Sequence, residues 1–244
     1  MKNERLIGRT ALITGAARRI GREVAVALAD AGVNVVIHYR NSAEEAERLR
    51  VELIERGVKA WLVRADFAQP QESRELFENS VKRAGSIDFL INNAAFFISK
   101  TVEEIEFETL MRDIQVNAWA PFVLSREFAR HAGRGKIINL IDTRVSGSDR
   151  THVSYILSKK LLLSMTEILA VEFAPLISVN AIAPGLILPP AGKDEQYLNA
   201  LAPTVPLEKH GGPADVVDAV LYLLGSRFVT GQVLFVDGGR HLKE

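Results

Sequence analysis

Short runs that are apolar at almost every position alternate with helix-patterned segments from one end of this 244-residue chain to the other. The first run is Thr10-Ala11-Leu12-Ile13, and Gly21 to Ala31 behind it is helical in composition, with Gly32 as its stop. Val35-Val36-Ile37 carries the next run, within Asn34 to His38. Ser42 then opens Ser-Ala-Glu-Glu, a capping-box pattern that predicts a charged helix to Arg56, ahead of Gly57. Ala60 to Val63 is a third run, ending at Asp66, and Gln71 to Ala84 reads as a helix closed by Gly85. Ile87 to Ile91 is a fourth run, followed by Asn92-Asn93-Ala94. Glu106 to Arg130 predicts one long helix kinked at Pro121. A fifth run, Lys136 to Ile141, precedes a helix that carries Tyr155 and Lys159. Val179 to Ile182 and Gln232 to Val236 complete the strands, with helices at Lys193 to Leu201 and Pro213 to Leu224 between them. A strand with one face in water alternates apolar and polar residues, whereas wholly apolar strands suit a parallel sheet covered on both faces. No repeat, low-complexity segment or linker interrupts the pattern. It predicts an α/β chain: a single doubly wound Rossmann domain with a parallel sheet of about seven strands and helices on both faces.

Composition removes several kinds of function. Thirty basic and thirty acidic residues give zero formal net charge, so nothing calls for nucleic acid or an anionic membrane as partner. The absence of cysteine excludes disulfides, thiolate catalysis and Cys-ligated metals, and the five histidines show no ligand spacing, so no metal is expected. Met1 to Gly8 is charged and lacks the apolar core of a signal peptide. The most apolar stretch, Leu161 to Ala183, is broken by Glu167, Glu172 and Pro175 and makes a poor membrane span. The expectation is a cytoplasmic enzyme or binding protein.

Chemistry concentrates between Asp142 and Lys159. Lys159 lies four residues after Tyr155, so on a helix the two side chains share a face. There the ammonium would lower the phenol's pKa from its usual ~10 and ready it for proton transfer. Asp142 lies thirteen residues before Tyr155, at the end of the fifth run. A strand there delivers it to the carboxyl edge of the sheet, where open α/β folds bind ligands. The first run leads into Thr14-Gly15-Ala16-Ala17-Arg18-Arg19-Ile20-Gly21, a strand-to-helix turn able to present backbone N–H groups and a positive helix end to a diphosphate. The second ends His38-Tyr39-Arg40-Asn41-Ser42 with no acid before Glu44 to hold a ribose 2′-hydroxyl. Arg18, Arg40 and the short polar Asn41 and Ser42 suit a 2′-phosphate instead, which favours NADP(H).

Tyr-x-x-x-Lys with a polar residue thirteen positions upstream resembles the short-chain dehydrogenase/reductase superfamily. That upstream residue is usually Ser; the Asp here is similar to the pteridine reductase branch, which makes tetrahydropterins with NADPH. The resemblance runs from about Arg9 to Gly239. It departs from the superfamily's Thr-Gly-x-x-x-Gly-x-Gly pattern at Arg19, in the place of the middle glycine, and the basic pair Arg18-Arg19 is again like pteridine reductases. The resemblance implies cofactor contacts at Gly15, Arg18, Arg19, Ile20 and Gly21, and at His38, Tyr39, Arg40, Asn41 and Ser42. It adds Asp66 with Phe67 beside the adenine, Asn93, Ala94 and Ala95 as the cofactor floor, and the Pro184-Gly185 turn. Ala95 stands where the superfamily usually has Gly.

For substrate the resemblance implies Phe97 as a ring stacked on a pterin, since a flat heteroaromatic gains from a parallel π-face. Phe96 is the weaker candidate. Arg19, Leu186 and Leu188 would line the pocket, under a lid over residues 186–202 whose start is Pro-rich and apolar. Asn117 resembles the helix Asn that holds a water in the superfamily's proton relay. The implied reaction is hydride transfer from NADPH to a ring C=N carbon of a dihydrobiopterin-, dihydromonapterin- or dihydrofolate-like substrate. Tyr155, with or without Asp142, would protonate the adjacent nitrogen, and Lys159 would tune Tyr155 and hold the nicotinamide ribose. Asp142 would also accept hydrogen bonds from the pterin's amino and ring N–H groups. The alternatives are a 3-oxoacyl or sugar carbonyl reductase, where Ser is expected in place of Asp142, a reductase of another cyclic imine, and a non-catalytic NADP-binding regulator. The family implies a homotetramer.

Overall fold

The computed structural model describes residues 6–190 and 192–243. Residues 1–5, 191 and 244 lie outside these, and with them the start of the charged N-terminal stretch and one position of the 186–202 segment. Seven parallel strands form one sheet: β1 (Thr10–Ile13), β2 (Asn34–Tyr39), β3 (Ala60–Arg64), β4 (Phe89–Asn92), β5 (Gly135–Leu140), β6 (Ile177–Pro184) and β7 (Val233–Val236). Their spatial order is β3-β2-β1-β4-β5-β6-β7. Leu12 pairs with Val36 on one side and Leu90 on the other, so the order reverses at β1 and β4. The loops that follow these strands therefore diverge, and a crevice opens above their carboxyl ends.

Strand periodicity sorts the apolar residues into two layers. Ala11, Ile13, Val35 and Ile37 face one side, packed with Val24 and Leu28 of α1 (Arg19–Asp30), Leu49 of α2 (Ala43–Glu55) and Val216 and Val220 of α8 (Pro213–Gly225). Leu12, Val36, Leu90 and Ile137 face the other. They meet Leu76 and Phe77 of α3 (Glu72–Ala84), Leu124 and Phe128 of α5 (Ala120–His131) and Leu169 of α6 (Val153–Glu172). Each of the Val, Leu, Ile and Phe side chains contributes about 1.5–3 kcal/mol by leaving water.

Two local expectations are corrected. Ser42 stands at the N-cap of α2, but its φ of −91° and ψ of 59° lie outside the extended region, and its side chain makes no cap hydrogen bond. No capping box forms; Glu44 and Glu45 in the first turn answer the helix dipole instead. The single long helix is interrupted. It comprises α4 (Phe107–Ile114), a π turn (Gln115–Trp119) and α5, with the Ala120 N–H reaching the Gln115 carbonyl. Pro121 has no N–H to give and its ring would meet the Asn117 carbonyl in an α-helix, so the backbone widens before it. The short α7 (Glu195–Leu201) follows the Leu186 to Pro190 loop.

Candidate active site

A cavity of about 720 Å³ lies at the carboxyl edge of the sheet, walled by the segments that follow β1, β2, β3, β4, β5 and β6. Its lining brings together every cofactor-side residue named from the sequence: Gly15, Arg18, Arg19, Ile20, Gly21, His38, Tyr39, Arg40, Asn41, Ser42, Asp66, Phe67, Asn93, Ala94, Ala95, Pro184 and Gly185. Phe97, Asp142, Tyr155, Lys159, Leu186 and Leu188 line the other end.

The turn after β1 is held from three sides. Thr14 Oγ1 accepts from the Asn93 and Ala94 N–H groups, each at 2.9 Å. Asn93 Nδ2 donates to the Thr14 and Gly15 carbonyls at 2.9 and 3.2 Å. Gly15, at φ +63°, donates its N–H to His38 Nδ1 at 3.0 Å. The His38 ring then donates from Nε2 to the Ala65 carbonyl at 3.1 Å and stacks on Phe67 with centroids 4.5 Å apart. Burial pushes its pKa down to about 4, so it stays neutral and serves to shape the turn. Gly21 packs so closely that a Cβ there would lie 2.4 Å from the Gly15 carbonyl oxygen and 2.6 Å from Asn93 Nδ2. Arg19 has φ +55°, a left-handed backbone that costs a non-glycine residue about 1–2 kcal/mol. This is the position of the pattern's middle glycine. The arginine's Nη2 donates to the Pro189 carbonyl at 2.8 Å and ties the turn to the segment over the cavity.

The N-terminus of α1 has no side-chain cap and no acid in its first turn to answer its positive end at the cavity. Arg18 stands 3.6 Å from Glu45 and Arg40 3.9 Å from Asp66, both as solvated pairs.

At the other end, Tyr155 is 6% exposed and donates from its hydroxyl to Asp142 Oδ2 at 3.2 Å. Burial first, then the Asp142 charge, raise its pKa well above the ordinary phenol value. The expected lowering by Lys159 is therefore corrected. Lys159 is 2% exposed, donates from Nζ to the Leu140 carbonyl at 2.7 Å, and sits 5.8 Å from the Tyr155 ring centroid. Burial lowers its own pKa to about 8. Phe97 is 46% exposed, stacked on His152 at 4.6 Å and edge-on to Tyr155 at 4.8 Å. One of its faces is thus taken by His152.

Asn117 is not on the cavity wall. It is fully buried in the π turn, where Oδ1 accepts from the Phe96 N–H at 2.7 Å and Nδ2 donates to the Phe96 carbonyl and to Ser158 Oγ. Its side chain fixes the loop that carries Phe97. Arg144, His152, Tyr197 and Arg240 also line the cavity, although none stands in a sequence motif that marks it. Arg144 engages Asp142 with two prongs, a partner that the reading of Asp142 as a substrate acceptor or an acid does not anticipate. Its one trace in the sequence is the Asp142-x-Arg144 spacing, which brings the charges together only because residues Thr143–Val145 form a tight turn. Among the described residues no cluster of His, Cys, Asp and Glu could hold a metal ion, and no helix is long and apolar enough to cross a membrane.

The arrangement has solved and curated counterparts. The structure of FolM alternative dihydrofolate reductase 1 from Brucella canis, complexed with NADP, superposes with a TM-score of 0.93 at 32% identity, covering 98% of this chain and 96% of that one. A short-chain type dehydrogenase/reductase from Picea abies is 34% identical, over 96% of this chain and 92% of its own length. The 3-oxoacyl-[acyl-carrier-protein] reductase FabG from Staphylococcus epidermidis is 28% identical, over 97% and 100% respectively. Residues 15–241 match the family model described as Enoyl-(Acyl carrier protein) reductase, so the chain belongs to that family of short-chain dehydrogenase/reductase oxidoreductases.

Proposed function

We propose that the chain is an NADPH-dependent reductase of a pterin ring C=N bond, with dihydrobiopterin-, dihydromonapterin- and dihydrofolate-like molecules as its substrate class. The uncapped N-terminus of α1, the tightly held glycine turn and the absence of an acid on the β2 end before Glu44 fit a phosphate-bearing nicotinamide cofactor. Arg18, Arg40, Asn41 and Ser42 would hold its 2′-phosphate, and Lys159 its nicotinamide ribose. Bound there, NADPH supplies the hydride. The observation that carries the pterin reading is the half-exposed Phe97 ring set edge-on to Tyr155 at 4.8 Å. A flat heteroaromatic laid against the exposed part of Phe97, beside His152 and the Arg144 guanidinium that also lie over that ring, would bring a ring nitrogen toward the phenol. The likeness to a FolM dihydrofolate reductase supports the same substrate class.

Tyr155 holds its proton at neutral pH, as the acid of a reduction must. Asn117 keeps the Phe97 loop in place, and residues 186–190, tied to Arg19 through Pro189, begin the segment that would cover a bound ring. Leu186 and Leu188 supply its apolar wall. Exposed apolar side chains on α6 and α8, including Val171 at 81% and Tyr222 at 58%, fit burial in a homotetramer, for which light scattering is the test. The functional test is NADPH oxidation with purified protein on dihydrobiopterin, dihydrofolate and an acetoacetyl thioester. Turnover of the pterins and not the thioester is expected. Turnover of the thioester alone would replace this reading with the ketone reduction performed by the FabG relative.

A further inference from the structure

Arg144 sits two residues past Asp142, in the turn Thr143–Val145, with its side chain 16% exposed. Its fork meets Asp142 from Nε to Oδ1 at 2.9 Å and from Nη2 to Oδ2 at 3.0 Å, and its backbone N–H adds a bond to Oδ1 at 3.0 Å. Tyr155 donates the fourth bond, to Oδ2 at 3.2 Å. A carboxylate offers about four lone-pair directions, so these donors fill it. On its far side, Arg144 Nη1 bonds to Asp149 and lies 3.3 Å from His152 Nδ1. His152 in turn bonds to Asp149 at 3.0 Å and stacks on Phe97 at 4.6 Å. One guanidinium thus links the aromatic wall to the carboxylate that holds the phenol. Burial opposes its charge, but the hydrogen bonds and charges of Asp142 and Asp149 outweigh burial and keep it cationic.

We propose that Arg144 is a positioning residue that acts through Asp142, reserving that carboxylate for Tyr155, so that the substrate receives its proton from Tyr155 alone. This rests on the reading of the site as a reductase with Tyr155 as acid. The step balances without Asp142 as a proton source. The substrate carbon gains the hydride, the Tyr155 O–H bond breaks as the N–H bond forms, and the phenolate regains its proton from water. A substrate N–H group could bond to Asp142 only by taking the Oδ2 direction that Tyr155 occupies or by displacing a fork of ionic hydrogen bonds.

The test is a double-mutant cycle of Arg144→Met and Asp142→Asn in the full chain, reading kcat and KM for dihydrobiopterin together with NADPH affinity. Arg144→Met is expected to lower kcat roughly 10- to 100-fold, the scale of a misplaced catalytic group, with KM and NADPH affinity near their parent values. Arg144→Lys should recover part of the loss, because one ammonium can meet one oxygen but cannot reproduce the fork. In the Asp142→Asn background, Arg144→Met should change kcat by less than about twofold. Equal losses in both backgrounds would show that Arg144 acts independently of Asp142 and overturn the proposal. So would a raised KM at parent kcat, which would place Arg144 on the substrate. If Arg144→Met fails to fold, Arg144→Lys carries the same cycle. If the parent reduces the thioester and not the pterin, the functional proposal falls on its own and the cycle is read on the thioester.

Discussion

Tyr155 keeps its proton at neutral pH for two reasons that act together: burial disfavours the phenolate, and the Asp142 carboxylate opposes a second negative charge beside it. The lysine four residues on does not reverse this: its Nζ is turned to the Leu140 carbonyl and lies 5.8 Å from the centre of the Tyr155 ring. The hydroxyl is therefore an acid that waits for a stronger acceptor, which a ring nitrogen becomes as its carbon gains hydride. Replacing Tyr155 with Phe removes that proton and little else, since the ring and its edge-on packing against Phe97 remain. The variant is expected to lose turnover by roughly 1,000-fold or more while binding NADPH as the parent does. Steady-state rates beside a fluorescence titration of NADPH decide it. Comparable turnover in Tyr155→Phe would move the acid elsewhere.

At the scale of elements, strand ends deliver the chemistry and the turn after β1 seats the cofactor. The close packing of Gly21 on Gly15 and Asn93 makes that turn testable. In Gly21→Ala the new Cβ cannot stay 2.4 Å from the Gly15 oxygen, so the turn must move off Asn93. NADPH affinity is expected to fall about tenfold or more, the scale of one strong backbone hydrogen bond to the cofactor. Gly212→Ala, with open space at its Cβ and ordinary φ, should leave affinity unchanged. Full affinity in Gly21→Ala would place the cofactor elsewhere. This turn was legible in the sequence because local spacing specifies it, as were the strands, whose unbroken apolar runs suit a sheet buried on both faces. The tyrosine-lysine helix was legible for the same reason. What the sequence hid depends on neighbours far apart in the chain. His38 reads as a strand-end residue, yet it braces Gly15, twenty-three positions away. The π turn arises from Pro121 acting on the carbonyl four residues earlier, which composition presents as a simple kink. Arg144 was hidden by rotamer, since spacing alone could not say that its fork would close on Asp142.

The whole fold's stability registers the buried site as a dependence on pH. Burial lowers the Lys159 pKa to about 8, against 10.5 when exposed. Below pH 8 the lysine is charged in both the folded and unfolded chain, and the folded state bears the full penalty of a buried ammonium. Between pH 8 and 10.5 the unfolded chain binds more protons than the folded one, so stability rises with pH. Tyr155 has the opposite sign, because its folded pKa is raised: it erodes stability above pH 10, where the unfolded phenol ionises first. His38, lowered to about 4 from 6.5, withdraws stability as pH falls through that interval and is silent above it. The window from about pH 7.5 to 9.5 therefore isolates Lys159. Over it the ligand-free protein is expected to gain about 2 kcal/mol from this residue, as linkage of the two pKa values gives. Lys159→Met removes the titration and should abolish the gain, while being more stable than the parent at the lower pH if its side chain packs in the same space. Urea denaturation of both proteins at the two pH values makes the comparison. Parallel curves would mean that the lysine reaches water in the folded state and that the catalytic end of the cavity is wetter than its geometry implies.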